Sequence, residues 1–222
     1  MALWELCLQL VPAMTLCAFT QNCPNGVCEV PHMLNPPIEP FLTQLSQQVM
    51  CPEFAGKPMC CNDDQNTELE IKYQLIDFTF GSGVGGCDAC AVNLKRLWCF
   101  FTCSPDQAVF AQGGPQQLVL DPMSQTPSWV LVMPANFTVT ERYTCDLYDS
   151  CKKSPYVQQV SAMQSSHGFL QFQGANSVDM GQVDISFHFV NSPPALDLTA
   201  LPCSNQAPEA YGYPTKPCSC NK

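Results

Sequence analysis

Residues 87–105 read CDACAVNLKRLWCFFTCSP and place Cys87, Cys90, Cys99 and Cys103 within seventeen residues of helical character. Thiols at that density can bind zinc, cycle as a redox pair, or form structural disulfides. Cys87-Asp-Ala-Cys90 has the spacing of a zinc or thioredoxin-type pair, but Cys99 and Cys103 are separated by three residues. The adjacent Cys60-Cys61 and the Cys218-Ser-Cys220 pattern fit no zinc module. With 16 cysteines in 222 residues, the consistent reading is a disulfide framework built in an oxidising compartment, with no metal.

Other candidate chemistry is sparse. Gly81-Ser-Gly83-Val-Gly85-Gly86 satisfies the G-x-G-x-x-G pattern, yet no βαβ unit surrounds it and the following helix opens on a cysteine, so it reads as a turn. Cys60-Cys61 followed by acidic residues has the look of a secreted phospholipase, whose chemistry needs a histidine just after the paired cysteines. Here Asn62, Asp63 and Asp64 follow. His32, His167 and His188 are scattered, His188 falls on the polar face of a strand, and no serine stands in a nucleophile elbow. No catalytic constellation and no cofactor motif emerges.

Composition sets the frame. The chain is 46% hydrophobic and only 13% charged, with a formal net charge of −10. It has enough apolar residues for a real core, and without a basic cluster it does not suit nucleic acid or an anionic membrane surface. Residues 1–16 have the apolar character of a signal peptide but carry Glu5 and Pro12 and lack a positive start. They read as a weak or truncated signal peptide, or else as a buried segment. The remaining 17–222 is expected to be one domain. No stretch is long and apolar enough to span a bilayer, and Asn136-Phe-Thr138 is a glycosylation sequon.

The elements that must position this framework follow from periodicity. PHMLNPPIEP (31–40) reads as an extended connector, and FLTQLSQQVM (41–50) as a helix entering Cys51. NDDQN opens a helix over 62–79, which the glycine run at 81–86 ends. In the helix after Cys87, the first and second cysteine pairs fall on opposite sides, with Leu94, Leu97, Trp98 and Phe101 forming a stripe and Lys95 and Arg96 away from it. QQLVLD (116–121) and SWVLVM (128–133) read as strands, and TVTERYTCDLYDSC (138–151) as a helix. GFLQFQG (168–174) follows, and then VDISFHFV (183–190) as a strictly alternating strand. The last thirty residues are rich in proline and cysteine and have no period. The expected class is α+β: a disulfide-rich helical core around a central cross-linked helix, with a small mixed β-sheet. An apolar interior of this kind can enclose a lipid pocket, and an ordinary packed core has the same composition.

The order CPEFAGKPMCC (51–61), CDACAVNLKRLWCFFTCSP (87–105), PCSC (217–220), preceded by the Cys17 and Cys23 spacing, resembles the N-terminal luminal domain of the Niemann-Pick C type 1 sterol transporters. Asn93 and Ser104-Pro105 agree with that pattern as well as the cysteines. The resemblance implies disulfides Cys17–Cys60, Cys23–Cys28, Cys51–Cys99, Cys61–Cys103, Cys87–Cys218 and Cys90–Cys151. It leaves Cys145 without a counterpart, and it assigns Cys203 and Cys220 to cysteines beyond a truncated end. It implies a bound sterol whose hydroxyl is held by Gln65, four residues after the paired cysteines, and by an asparagine whose position is Val27 here, with Asn25 the substitute. Asn93, Trp98, Phe101, Thr102 and Phe110 match pocket-side positions, and Phe169, Leu170, Ile185 and Phe187 are candidates for the mouth.

The function implied is non-catalytic sterol binding in the lumen of the late endosome, lysosome or vacuole. Sterol would arrive from a soluble carrier of the Niemann-Pick C type 2 kind and pass toward the membrane of a spanning parent protein. A vitamin- or lipid-binding module of folate-receptor or Frizzled cysteine-rich type is the alternative.

Overall fold

The computed structural model describes residues 15–23, 27–45, 48–120, 126–175 and 182–203. The expected signal peptide lies almost wholly outside them, as do Asn25, Cys218 and Cys220. The described elements are of mixed α+β class.

Helix α1 (Asp63–Phe80) starts where the sequence says it should. The Asn62 side-chain oxygen accepts from the Gln65 amide at 2.9 Å, and the Gln65 side-chain oxygen accepts from the Asn62 amide at 3.2 Å. This capping box satisfies two helix-end donors, and Asp63 and Asp64 sit favourably at the positive end of the helix dipole. Leu69, Tyr73, Ile76 and Phe80 make its buried stripe. The chain leaves through Gly85 at φ 83°, and a Cβ on Gly86 would lie 2.1 Å from the Phe80 carbonyl oxygen. The glycine run is therefore a turn that other residues could not make.

Helix α2 (Asp88–Cys103) is buried along nearly its whole length. Disulfides tie Cys90 to Cys151, Cys99 to Cys51 and Cys103 to Cys61, while Cys17–Cys60 and Cys23–Cys28 fix the amino-terminal segment. All five pairings are those the resemblance implies. Cys87 and Cys203 are each disulfide-bonded, but not to each other, since their sulfurs lie 3.0 Å apart. Cys203 thus pairs within the chain, contrary to the expectation that it pairs with a cysteine beyond its end. Cys145 is exposed and free.

Strand β1 (Cys17–Thr20) pairs antiparallel with β2 (His32–Ile38). The proline-rich stretch is thus a paired strand rather than a bare connector. Its prolines are exposed on a two-stranded ribbon, where a missing donor is tolerated. A short α3 (Gln107–Phe110) leads into β3 (Ala111–Gly113), then β4 (Gln117–Leu120) and the long β5 (Trp129–Thr140). Strands β3 and β4 pair antiparallel with successive parts of β5. Helices α4 (Glu141–Cys151), α5 (Pro155–Gln159) and α6 (Ser166–Ala175) cross over to β6 (Val183–Val190), which runs parallel to Met133–Thr140. A parallel neighbour requires such a crossover.

Two further expectations change. The described residues of 41–50 do not form the expected helix. Phe41 exchanges two backbone hydrogen bonds with Met59, Thr43 donates to the Cys61 carbonyl, and Met50 donates to Asn66. These tertiary partners replace helical ones, and Leu42 stays 71% exposed. Residues 138–140 complete β5, so α4 begins after the Thr140 cap rather than at 138.

Lys95 and Arg96, placed away from the apolar stripe by sequence, are both buried. Lys95 Nζ reaches Asp77 at 2.6 Å, and Arg96 pairs with Glu53 at 2.9 Å and donates to the Thr199 carbonyl. Truncating one partner of such a pair leaves an uncompensated buried charge. Glu53→Leu is therefore expected to destabilise the fold by about 3–5 kcal/mol in urea titration. The double variant Glu53→Leu/Arg96→Met should recover most of that loss.

Candidate functional site

The start of α1, the end of α2 and strand β1 converge on one cavity of about 30 Å³. Its apolar wall is Phe19, Pro31, Leu69, Phe101 and Val183, and its polar wall is Gln21, Gln65, Glu68, Lys72 and Thr102. Gln65, Phe101 and Thr102 are thus brought together as expected. Gln65 is buried at 3% exposure, and its amide oxygen is committed to the helix cap. Because the Asn62 partner is a backbone N–H, that oxygen must face the cap, which leaves Nε2 as the group free to serve the cavity.

Behind Phe101 runs a continuous series of rings. Phe19 lies 5.0 Å from Phe101, Trp98 lies 5.9 Å away, and Phe137 lies 4.9 Å away. Phe137 in turn contacts Phe110 and Phe187. Trp98, Phe110 and Phe187 are therefore buried core behind Phe101, and Ile185 is buried on β6 in the same core.

Other expected site residues lie elsewhere. Asn93 does not line the cavity: its amide donates to Ser150 and the Leu201 carbonyl, and its oxygen accepts from the Leu201 amide. It pins the segment around residue 201 to α2, a task for which a buried amide with complementary backbone partners suffices. Phe169 packs against Phe80 and Tyr148, and Leu170 is fully buried beside it on α6. Val27 is 72% exposed, and Asn25 lies outside the described residues. Asn136 is exposed in the middle of β5, with its side-chain oxygen 3.0 Å from His188 Nε2.

A second, open trough of about 550 Å³ runs between β2 and the α3–β3 segment, lined among others by Met33, Pro37, Phe110, Gly113 and Asn136. It is large enough for a ligand but does not enclose one. The sulfurs of Cys23 and Cys28 and the Glu68 carboxylate lie within 4.8 Å of one another. The two cysteines are bonded to each other, so this group offers no thiolate for a metal.

Comparison with known proteins agrees with the framework. The model of the Niemann-Pick C1 N terminus family matches residues 15–222. The chain belongs to the Niemann-Pick C1 N-terminal family. It is 26% identical over 192 residues to the NPC1-like intracellular cholesterol transporter 1 of Rattus norvegicus, covering 78% of this chain and 14% of that protein. The NPC intracellular cholesterol transporter 1 of Sus scrofa is 25% identical over 192 residues, with the same coverage. The human NPC1-like intracellular cholesterol transporter 1 is 26% identical over 198 residues, covering 78% of this chain and 13% of the protein. The chain thus spans only a small part of the length of these Niemann-Pick C1 relatives. Among the described residues, no helix is long and apolar enough to cross a membrane.

Sequence reasoning selected Gln65 but missed Glu68, Lys72, Gln21 and Phe19. The signal was available for two of them: positions i, i+3 and i+7 from Gln65 share one helix face. Burial pushes the Lys72 ammonium below its ordinary pKa, and Glu68 opposes that shift. A lysine whose folded pKa is depressed destabilises the fold in its charged form, and this cost is fully present below the folded pKa. It fades as pH rises from the folded value toward 10.5. Lys72→Met should therefore raise the unfolding midpoint at neutral pH, and its advantage over wild type should shrink as chemical denaturation is repeated at increasingly alkaline pH.

Proposed function

We propose that this chain is a sterol-binding domain of a larger membrane transporter, that the domain occupies residues 17–222, and that the sterol enters the cavity beside Gln65. The observation that carries the reading is the pairing of a buried amide, with only its donor end uncommitted, against an apolar wall of Phe19, Leu69 and Phe101. A rigid hydrocarbon ring system gains its affinity from desolvation and its orientation from one or two fixed polar groups. Family membership and the names of the relatives, all cholesterol transporters, support the same substrate class.

At about 30 Å³ the cavity is an order of magnitude below the roughly 300–1,000 Å³ of ligand pockets. Binding therefore requires it to widen. The wall contributed by α2 is cross-linked at Cys99 and Cys103, so the movement falls to the opposite side, where Pro31, Lys72 and Val183 close the space. The open trough already has the volume, but a sterol lying in it would keep much of its surface in water. It also contains the sequon asparagine, which a glycan would occupy.

The dense disulfides and the Asn136 sequon support passage through the secretory pathway to the lumen of the late endosome, lysosome or vacuole. There the domain would accept sterol from a soluble carrier of the Niemann-Pick C type 2 kind and pass it toward the membrane, without catalysis. Labelled cholesterol is expected to bind the secreted, oxidised chain saturably, near one per chain. Gln65→Ala should weaken binding by about 1–3 kcal/mol, the cost of leaving a buried hydroxyl short of a partner. Absence of saturable binding by the folded chain to any of several sterols would contradict the reading.

A further inference from the structure

We propose that Glu68 is the acceptor for the ligand's hydroxyl hydrogen, and that it makes the site selective for a free alcohol over a ketone or an ester. The assignment rests on the sterol reading above. A hydroxyl both donates and accepts, so enclosing one requires a donor and an acceptor from the protein. Gln65 cannot supply both. Its amide oxygen receives the Asn62 backbone amide at 3.2 Å, as part of the cap that starts α1, and its Nε2 is left as a donor only.

A charged acceptor lies one turn further along the same helix, where Gln21 and Thr102 on the same wall offer only neutral oxygens. Glu68 is three residues after Gln65, lines the same cavity and is half-buried. Among the described residues, no hydrogen bond occupies its carboxylate. Lys72, a further turn along, also lines the cavity and interacts electrostatically with Glu68. One carboxylate and one ammonium make this end of the cavity neutral in sum. That suits an uncharged hydroxyl better than a fatty-acid carboxylate or a sulfate, which would lie against Glu68. Thr102 on α2 faces the same space and can adapt as donor or acceptor.

The test compares two probes that differ only at C3: 5α-cholestan-3β-ol and 5α-cholestan-3-one. Both offer an oxygen to Gln65 Nε2, and only the alcohol offers a hydrogen to Glu68. The full wild-type chain should bind the alcohol about tenfold or more tightly, since a charged acceptor that the bound ligand encloses and leaves without a hydrogen is costly. Glu68→Leu should bring the two probes to within about threefold of each other, chiefly by weakening the alcohol. Gln65→Ala should weaken both and keep most of the preference. Circular dichroism would confirm folding of each variant, and the wild-type preference is informative by itself.

Equal binding of the two probes by wild type, or a preference that survives Glu68→Leu, would overturn the assignment while leaving the sterol reading intact. Failure of the folded wild type to bind either probe would overturn both.

Discussion

Helix α2 is held by covalent bonds at several points along its length, and almost every side chain on it is buried. Each cross-link can contribute about 2–4 kcal/mol by restricting the unfolded chain, but the geometric effect matters more for function. Cys99 ties α2 to Cys51, Cys103 ties its end to Cys61 immediately before the cap of α1, and Cys17–Cys60 brings β1 to the same place. The three elements that meet at the cavity are thereby fixed to one another through consecutive links. Phe101 and Thr102 become a wall that cannot retreat, and Gln65 is positioned by a cap that begins next to a disulfide.

Charges in this chain are few, and several of them are structural. Lys95 and Arg96 lie buried on α2 because Asp77 and Glu53 meet them there. The carboxylates at the opening of α1 serve its dipole, and Asp64 also accepts from the Cys23 amide at 2.7 Å, joining the amino-terminal loop to the helix. Against that background, Glu68 and Lys72, an i,i+4 pair on α1, stand out as charged groups on a cavity wall. The cavity is polar along one helix and apolar elsewhere, the asymmetry an amphiphile with a single polar end requires.

Much of this was legible in the residues. Asn62, the acidic first turn and the glycine run marked α1, because caps and breakers act locally. The strict alternation of Val183, Ile185, Phe187 and Phe189 marked β6, because one face is buried. The helix expected at 41–50 failed because its backbone partners, Met59, Cys61 and Asn66, come from other segments that no periodicity can announce. Asn93 stands apart from the cavity for a similar reason. Its partner Leu201 lies 108 residues away, so the sequence showed a buried amide without showing what satisfied it. The cavity wall was read only in part, since Gln65 was found through a family pattern, whereas Glu68 and Lys72 belong to this chain's own helix face.

The central claim is that the sterol sits between the start of α1 and the end of α2. Photo-cross-linking with a diazirine-bearing cholesterol, followed by peptide mapping, tests it most directly. The account predicts adducts within residues 62–72 and 98–103, competed by unlabelled cholesterol. Competable adducts confined to residues 108–113 and 136–138, along the open trough, would contradict it.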